Sequence, residues 1–275
     1  MKKTRVITVL ILALALFSAC ATMKGTGVSE RTAPVLDRIL QRGELVVGTA
    51  GSMPPLNMTT KEGKIIGLEA DLARYMANAM DVKLRFEAMP FSELLAALEA
   101  GKVDVILSGM TITPERNLKV AFVGPYFISG KAFLTKKKTI ASVKSASGIN
   151  SPDNTLAALK GSTSQFFVED VAPMAKLVTT KDYDEAVDLV LQDKVDALVA
   201  DYPICVVSVL RYPDKGLISL ITPLTYEPIG IAMPANDPHL VNWVENFLNA
   251  VGGSGALNEL GDRWFKDRSW LKRLR

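Results

Sequence analysis

Short apolar runs alternate with amphipathic stretches along most of the chain. The pattern predicts strands at residues 45–48, 83–86 and 103–107, and helices at residues 68–80 and 91–100. Strands that alternate with helices are typical of βαβ units. We therefore expect an α/β fold with a mostly parallel sheet.

One helix–turn–strand unit occurs twice. Residues 92–107 align without a gap to residues 184–199, and both copies carry Lys-Val-Asp in the turn before an apolar strand. The copies lie much further apart than the roughly 20–50 residues of a repeat array. The repeat predicts two similar lobes.

The first residues have the pattern of an export signal. A basic head at residues 1–5 precedes an apolar run at residues 6–17, which is shorter than the ~20 residues of a membrane-spanning helix. The run ends in Ser-Ala before Cys20, which resembles the lipobox at which a bacterial lipoprotein is cut and acylated. An ordinary cleaved signal with an incidental cysteine is the alternative.

These observations predict the following organisation. Residues 1–19 form a signal peptide, and residues 20–34 a flexible tether attached to lipid through Cys20. The first lobe comprises residues 35–131, the second residues 132–225, and residues 226–275 return to the first. The expected location is the periplasm or the cell surface, with the lipid anchor as the only membrane contact.

Charge and composition narrow the function classes. The net charge of +3 falls to about zero once Lys2, Lys3 and Arg5 leave with the signal, so a general attraction to nucleic acid is not supported. With Cys20 acylated, Cys205 has no partner for an intramolecular disulfide, and we expect it to be buried. His239 is the single histidine, which leaves no basis for a His-based triad or a multi-His metal site. We expect a monomer without metal or cofactor.

The residues after the repeated strands are candidates for a binding site. In open α/β sheets, ligands bind beyond the carboxyl ends of the strands. After the first repeated strand come Ser108, Gly109, Met110 and Thr111, and at the end of the second comes Asp201. These two sets face each other only if the lobes do.

Arg116 is a candidate carboxylate receptor. Thr113 is a suitable N-cap and Pro114 fits the first helical position, so Arg116 is expected in the first turn of a helix. Its planar guanidinium pairs with both oxygens of a carboxylate. An ordinary surface ion pair is the alternative for an arginine at this position.

A second anion-binding turn is predicted at Gly161, Ser162 and Thr163, where a Gly-Ser-Thr turn leads into an apolar stretch with helical character. The same turn also suits simple helix capping. Together with Arg116, its amides would bind an α-carboxylate while Asp201 binds an α-ammonium. A free amino acid supplies both charges in one small molecule.

These residues resemble a known family. The block Ser-Gly-Met-Thr-Ile-Thr-Pro-Glu-Arg at residues 108–116 is similar to the signature of the bacterial extracellular solute-binding proteins of family 3, which serve polar amino-acid ABC importers. Further similar segments follow in family order: Gly48 with Pro54 and Pro55, residues 67–73, 101–104, 124–126, 161–163, 195–197 and 227–232, and Trp264 with Phe265.

The resemblance implies a periplasmic-binding-protein-like fold of two Rossmann-like lobes, joined by two hinge strands near residues 130–134 and 226–232, with a cleft between them. It implies that Arg116 and Asp201 bind the ligand as described, with Thr111 and the Gly109 backbone adding contacts. It also implies a permease of an ABC importer as partner.

The expected ligand follows from the pocket walls. Ala50 stands where many members carry an acid, and Met53 and Leu56 replace aromatic residues. With Phe91 and Met110 they would form a soft apolar pocket. Because Asp201 would be used by the α-ammonium, we predict a free amino acid with a neutral side chain.

Two alternatives stay open on the same fold. The family resemblance extends to cyclohexadienyl dehydratases, which need a general acid aimed at a leaving hydroxyl; Glu227 and Glu69 are possible acids, although both suit structural roles. The closed form could instead signal to a chemoreceptor or a sensor kinase, because both outputs use ligand-dependent closure.

Overall fold

The computed structural model describes residues 33–143, 145–219 and 223–274. The predicted signal peptide, Cys20 and nearly all of the predicted tether lie outside the described residues, so the lipid anchor stays a prediction. Within the described part, no helix combines the length and the apolar character needed to cross a bilayer.

Thirteen strands and ten α-helices account for most of the described chain. The strands are β1 (Glu44–Thr49), β2 (Ser52–Met53), β3 (Asn57–Thr59), β4 (Ile65–Ile66), β5 (Lys83–Ala88), β6 (Val105–Ile106), β7 (Val120–Ser129), β8 (Lys131–Thr135), β9 (Thr155–Leu159), β10 (Lys176–Thr180), β11 (Ala197–Asp201), β12 (Ile218–Ser219) and β13 (Glu227–Pro234). The helices are α1 (Pro34–Arg42), α2 (Leu68–Ala79), α3 (Leu94–Glu99), α4 (Pro114–Asn117), α5 (Lys138–Ala141), α6 (Thr163–Val171), α7 (Tyr183–Leu191), α8 (Tyr202–Arg211), α9 (Pro238–Gly253) and α10 (Ala256–Gly261).

Two five-stranded sheets form the centres of two lobes. The first has the order β5-β1-β6-β13-β7 and the second the order β10-β9-β11-β8-β12. In each sheet the first three strands are parallel and the last two join antiparallel. The expected α/β fold is confirmed, but the sheets are mixed rather than mostly parallel. The strands that join antiparallel are those on either side of the two crossings between lobes, β7 and β8 at the first and β12 and β13 at the second. Their direction therefore depends on how the chain connects the lobes.

The predicted repeat corresponds to real structural units. In the first copy α3 is followed by β6, and in the second α7 is followed by β11. The shared aspartates explain the repeated turn. Asp104 accepts a hydrogen bond from the Val46 amide (2.8 Å), and Asp196 accepts one from the Thr155 amide (2.6 Å). Each carboxylate therefore binds the backbone of the parallel strand next to its own.

The first helix is held by a residue from the end of the chain. The Asp237 carboxylate accepts hydrogen bonds from the Val35 and Leu36 amides, each 2.9 Å long, and also caps α9 through the Leu240 amide. Free N–H groups at a helix start need such acceptors. The contact ties the returning C-terminal segment to the start of the first lobe.

The chain passes between the sheets at two places. It leaves the first sheet after Ser129 and enters the second at Lys131, and it returns before Glu227. Ser129 pairs with Glu227 across β7 and β13, and Lys131 pairs with Asp201 across β8 and β11. A Cβ on Gly130 would lie 2.2 Å from the Thr225 carbonyl oxygen, so only glycine fits at this crossing. The two crossings lie side by side at the base of the cleft.

Candidate functional site

The loop after β6 is shaped by a buried acid. Glu69 accepts hydrogen bonds from the Gly109 amide and the Asn57 side chain, both 2.6 Å long, and a short one from the Tyr126 hydroxyl. Gly109 has φ +61°, and a Cβ there would lie 2.0 Å from the Met53 sulfur. The loop therefore requires glycine at this position, packed under Met53.

Several predicted wall residues are part of the packing around this loop. Ser108 is fully buried, and its Oγ accepts a hydrogen bond from the Ala50 amide (2.8 Å), which joins the ends of β1 and β6. Leu56 and Met110 are also fully buried. The structure thus assigns the Ser108 side chain to the scaffold.

Arg116 lies in the first turn of α4, as predicted. The Thr113 hydroxyl accepts a hydrogen bond from the Arg116 amide (3.2 Å), and Pro114 occupies the first turn. The side chain is only 7% exposed. Its Nη1 donates to the Thr111 carbonyl oxygen (2.8 Å), and its guanidinium carbon lies 5.6 Å from the centre of the Phe91 ring. This placement excludes the surface ion pair that was the alternative for this residue.

Arg116 also reaches the second lobe. Its Nη2 donates to the Gly161 carbonyl oxygen (3.2 Å), on the loop that leads into α6. The predicted helix start is confirmed, because the Ser162 hydroxyl caps α6 by accepting from the Gln165 amide (3.3 Å). The Gly161 amide donates to Gln165 Oε1 (2.8 Å) and the Ser162 amide to the Leu159 carbonyl oxygen (3.2 Å). A ligand carboxylate would have to displace Gln165 to use the Gly161 amide.

Asp201 ends β11 at the base of the cleft and is 4% exposed. Its Oδ1 lies 3.1 Å from Lys131 Nζ and accepts a hydrogen bond from the Ser129 hydroxyl (3.2 Å). The same ammonium lies 3.3 Å from Glu227 Oε2. One lysine therefore bridges two acids, one from each lobe.

A series of hydrogen bonds and one ion pair connects the two ends of the site. Thr163 Oγ1 donates to Glu227 Oε2 (3.0 Å) and lies 3.4 Å from Thr111 Oγ1. Because the single Thr163 hydroxyl proton is directed at the carboxylate, the Thr111 hydroxyl is the donor to Thr163. The series runs from Arg116 through Thr111, Thr163 and Glu227 to Lys131 and Asp201. It spans both lobes, which are closed on each other here.

The electrostatics of the site follow from burial. Burial lowers the pKa of Arg116, and the negative charges of Glu227 and then Asp201 oppose that shift. Burial also raises the pKa of Tyr183 and of the Cys205 thiol, and the Asp201 charge adds to both shifts. Tyr183 and Cys205 therefore add no charge beside Asp201. Across the described residues, no group of three or more histidine, cysteine, aspartate or glutamate side chains could hold a metal ion.

The sequence reasoning missed Lys131 and gave Glu227 no part in ligand binding. A signal for Lys131 was present, because it opens the otherwise apolar strand segment Lys-Ala-Phe-Leu. Lysine is almost never fully buried unless it is paired. A lysine in a buried strand therefore implies an acid nearby, although the sequence does not say which one.

Two α/β lobes that meet at a polar cleft define a periplasmic-binding-protein fold. The chain belongs to the bacterial extracellular solute-binding proteins, family 3, whose model matches residues 45–267. The predicted family is therefore confirmed.

Similar proteins match this chain over most of its length. ABC transporter arginine-binding protein 1 of Escherichia coli K12 is 26% identical over 79% of this chain and 89% of its own length. The glutamine-binding protein GlnH of Bacillus subtilis 168 is 27% identical over 94% of both chains. A binding component of an ABC transporter from Wolinella succinogenes DSM 1740, solved in complex with lysine, is 40% identical with a TM-score of 0.79, over 84% of this chain and 99% of that chain.

Two further similar proteins are a cyclohexadienyl dehydratase and a precursor of one. The cyclohexadienyl dehydratase of Pseudomonas aeruginosa PAO1 is 23% identical over 91% of this chain and 93% of its own length. The crystal structure of the ancestral amino acid-binding protein AncCDT-1, a precursor of cyclohexadienyl dehydratase, is 35% identical with a TM-score of 0.76, over 84% of this chain and 99% of that chain.

Proposed function

We propose that this protein captures a free amino acid with an uncharged side chain between its lobes and delivers it to the permease of an ABC importer. The observation that supports this function most directly is that Arg116 and Asp201 lie at opposite ends of one series of polar contacts across the cleft. A guanidinium pairs with an α-carboxylate and a carboxylate with an α-ammonium. The names of the similar arginine- and glutamine-binding proteins support an amino acid as ligand.

The preference for an uncharged side chain rests on charge balance. Arg116 and Lys131 carry two positive charges, and Asp201 and Glu227 carry two negative charges, so the four groups sum to zero. A neutral zwitterion keeps this balance, whereas a lysine or arginine ligand adds a buried positive charge, which is costly without a partner. The neighbouring walls are apolar, with Met53, Phe91 and Met110 buried.

The site residues form a working hypothesis for the contacts. Arg116, Thr111 and the Gly109 backbone would bind on the side of the first lobe, and Gly161, Thr163 and Asp201 on the side of the second. Ser162 would act indirectly, because its amide and hydroxyl are used within the turn and in the helix cap. Ser108 and Leu56 would act indirectly, by shaping the loop and its packing. Lipid on Cys20 would hold the protein at the membrane, as a monomer near its importer.

A thermal-shift screen against free amino acids tests the proposal, because a ligand that binds only the folded state raises the melting temperature. We expect stabilisation by one or more uncharged amino acids and compaction in small-angle scattering when the ligand saturates the protein. Titration calorimetry then gives affinities for the uncharged amino acids beside arginine and lysine. Arginine bound far more tightly than every uncharged amino acid would contradict the side-chain preference.

A dehydratase activity is the second candidate. Its support is the similar dehydratase together with a buried acid, Glu227, at the base of the cleft. A general acid needs a proton to donate, whereas Glu227 accepts hydrogen bonds from the Thr163 and Thr225 hydroxyls and lies beside the Lys131 ammonium. Glu227 therefore serves as a hydrogen-bond acceptor and ion-pair partner in this arrangement, which favours the binding function. Turnover of prephenate by purified protein, lost in Glu227→Gln, would decide for the enzyme.

A further inference from the structure

A lysine ammonium lies among the acids at the base of the cleft. Lys131 is 0% exposed, and its Nζ lies 3.1 Å from Asp201 Oδ1 and 3.3 Å from Glu227 Oε2. The apolar stem of the side chain leaves β8, in which every residue is buried. An ammonium held so deeply is an integral part of the site and cannot turn out to solvent without opening the fold.

Strand pairing explains why the lysine reaches both acids. Lys131 and Asp201 stand directly opposite each other in the antiparallel pair β8–β11, and directly opposite residues project on the same face of a sheet. The backbone at Lys131 is held as well, because its amide donates to Thr225 Oγ1 (3.0 Å) and that hydroxyl donates to Glu227 Oε1 (3.0 Å). The ammonium is fixed at the point where the chain crosses between lobes.

The position of the ammonium sets the charge of the cleft. Without it, Asp201 and Glu227 would be two buried carboxylates facing Arg116, with a net charge of −1. With it, the four groups are balanced. A net buried negative charge attracts a ligand with an extra cation, because Coulomb interactions strengthen where water is excluded.

We propose that Lys131 is a specificity-determining residue: it acts as an internal counter-cation that fixes the net charge of the ligand accepted by the cleft. The proposal rests on the proposed binding of a free amino acid, but not on which amino acid the natural protein prefers. It concerns the change of preference when the charge at position 131 is removed. The ammonium supplies, beside Glu227, the positive charge that a ligand with an extra cation would otherwise bring to the cleft.

The test is the ratio of the dissociation constants for glutamine and lysine, two ligands of similar length that differ in charge. Each constant is measured by titration calorimetry, or by displacement where direct binding is weak. In Lys131→Met we expect the ratio to move towards lysine by about tenfold or more, a conservative value for a unit charge a few ångströms away. If another uncharged amino acid binds better than glutamine, that amino acid replaces it in the ratio.

Two further variants test whether the charge balance, and not the lysine itself, determines the ratio. Glu227→Gln removes one acid and is expected to move the ratio in the opposite direction, against lysine. The double variant Lys131→Met/Glu227→Gln restores the balance of charge and is expected to return the ratio to within about threefold of the natural protein. Lys136→Met is the matched control, because Lys136 lies just beyond β8 and pairs with the exposed Asp193, and its ratio should not change.

The outcomes separate this inference from the proposed function. A ratio in Lys131→Met within threefold of the natural protein overturns the inference, including the case in which both affinities fall by the same factor, as a purely structural lysine would cause. Selective loss of aspartate or glutamate binding with an unchanged ratio also overturns it, because the lysine would then bind the ligand directly. If Lys131→Met does not fold, Glu227→Gln and the double variant carry the test. If the natural protein binds no free amino acid, the proposed function itself fails.

Discussion

In the first lobe the repeated strand β6 leads into a loop that holds Thr111 and, beyond it, Arg116; in the second lobe the repeated strand β11 ends directly in Asp201. The same helix–turn–strand unit thus delivers a donor group from one lobe and an acceptor group from the other. The unit sets where each strand ends, and the residues after it set the chemistry. A duplicated scaffold can therefore present two unlike surfaces to one cleft.

The turns before these strands, in contrast, make the same kind of contact in both lobes. Asp104 and Asp196 both bind an amide of the neighbouring strand. Their surroundings differ, because the Asp104 side chain is 1% exposed and is paired with two arginines, Arg38 and Arg42, whereas the Asp196 side chain is 17% exposed and is paired with one exposed lysine, Lys137. Asp104 and Asp196 thus hold each lobe together, whereas the proposed ligand contacts lie at and beyond the ends of the strands.

Removing Arg116 or Asp201 should weaken the proposed ligand contacts of one lobe at a time. Arg116→Ala should reduce amino-acid affinity by ~2–5 kcal/mol, because a buried ligand carboxylate loses its charged partner. Asp201→Asn should cost less, because the asparagine carbonyl oxygen can still accept a hydrogen bond from the ligand ammonium. Titration calorimetry measures both. Arg74→Ala is the control, since Arg74 forms an exposed pair with Asp71, and a change within threefold for Arg116→Ala would remove that residue from the site.

The two turn aspartates should contribute differently to stability. Asp104→Ala should lower the free energy of unfolding by about 3 kcal/mol, since it leaves a buried strand amide and two arginines without their acceptor. Asp196→Ala should lower it by about 1 kcal/mol, because water reaches that site and can replace the carboxylate. Urea unfolding followed by circular dichroism gives both values. Equal losses would show that burial does not distinguish the two turns.

Stability should depend on pH through one acid in each lobe, Glu69 in the first and Asp196 in the second. Their contributions to the free energy of unfolding are expected to change with pH in opposite directions. Burial raises the pKa of Glu69 above its ordinary value of 4.5, although hydrogen bonds from Tyr126, Gly109 and Asn57 oppose the shift. The folded protein then holds this proton more tightly than the unfolded chain does. The stabilising contribution of Glu69 is therefore complete below pH 4.5 and is lost as the pH rises through the folded-state pKa.

For Asp196, burial would raise the pKa, but hydrogen bonds from the Lys137 side chain and the Thr155 amide lower it below the ordinary value of 3.8. Its contribution is present above pH 3.8 and is lost as the pH falls through the folded-state pKa. Unfolding free energies of the natural protein, Glu69→Gln and Asp196→Asn across about pH 3 to 7 test both signs. For each variant, the difference in unfolding free energy from the natural protein should change with pH. A change in the same direction for both variants would contradict the assignment.

The contact between the Thr111 and Thr163 hydroxyls joins the lobes and should make a small contribution to binding. Thr111→Val and Thr163→Val each remove one hydroxyl of the Thr111–Thr163 pair, which is 3.4 Å long. Each change should weaken amino-acid binding by about 1 kcal/mol, and the double variant should lose less than the sum because the two groups share a contact. Strict additivity in a double-mutant cycle would show that the hydroxyls do not interact.

Much of the fold followed from local patterns. The alternation of apolar and amphipathic segments predicted the strands and helices, and the Thr113-Pro114 and Gly161-Ser162 signals predicted the helix starts that the structure contains. These signals are readable because capping and periodicity involve residues close in sequence. The direction of β8 and β13 was not predicted, because it depends on how the chain crosses between lobes.

The two-lobed plan, the family, the buried Cys205 and the positions of Arg116 and Asp201 at the ends of structural units could all be predicted from the order of the residues. The bridge from Lys131 to Asp201 and Glu227 could not, since these residues meet through strand pairing between segments far apart in the chain. A charge pattern along a sequence shows which groups exist, whereas their interaction depends on distance and burial. Those two quantities are set by the fold as a whole.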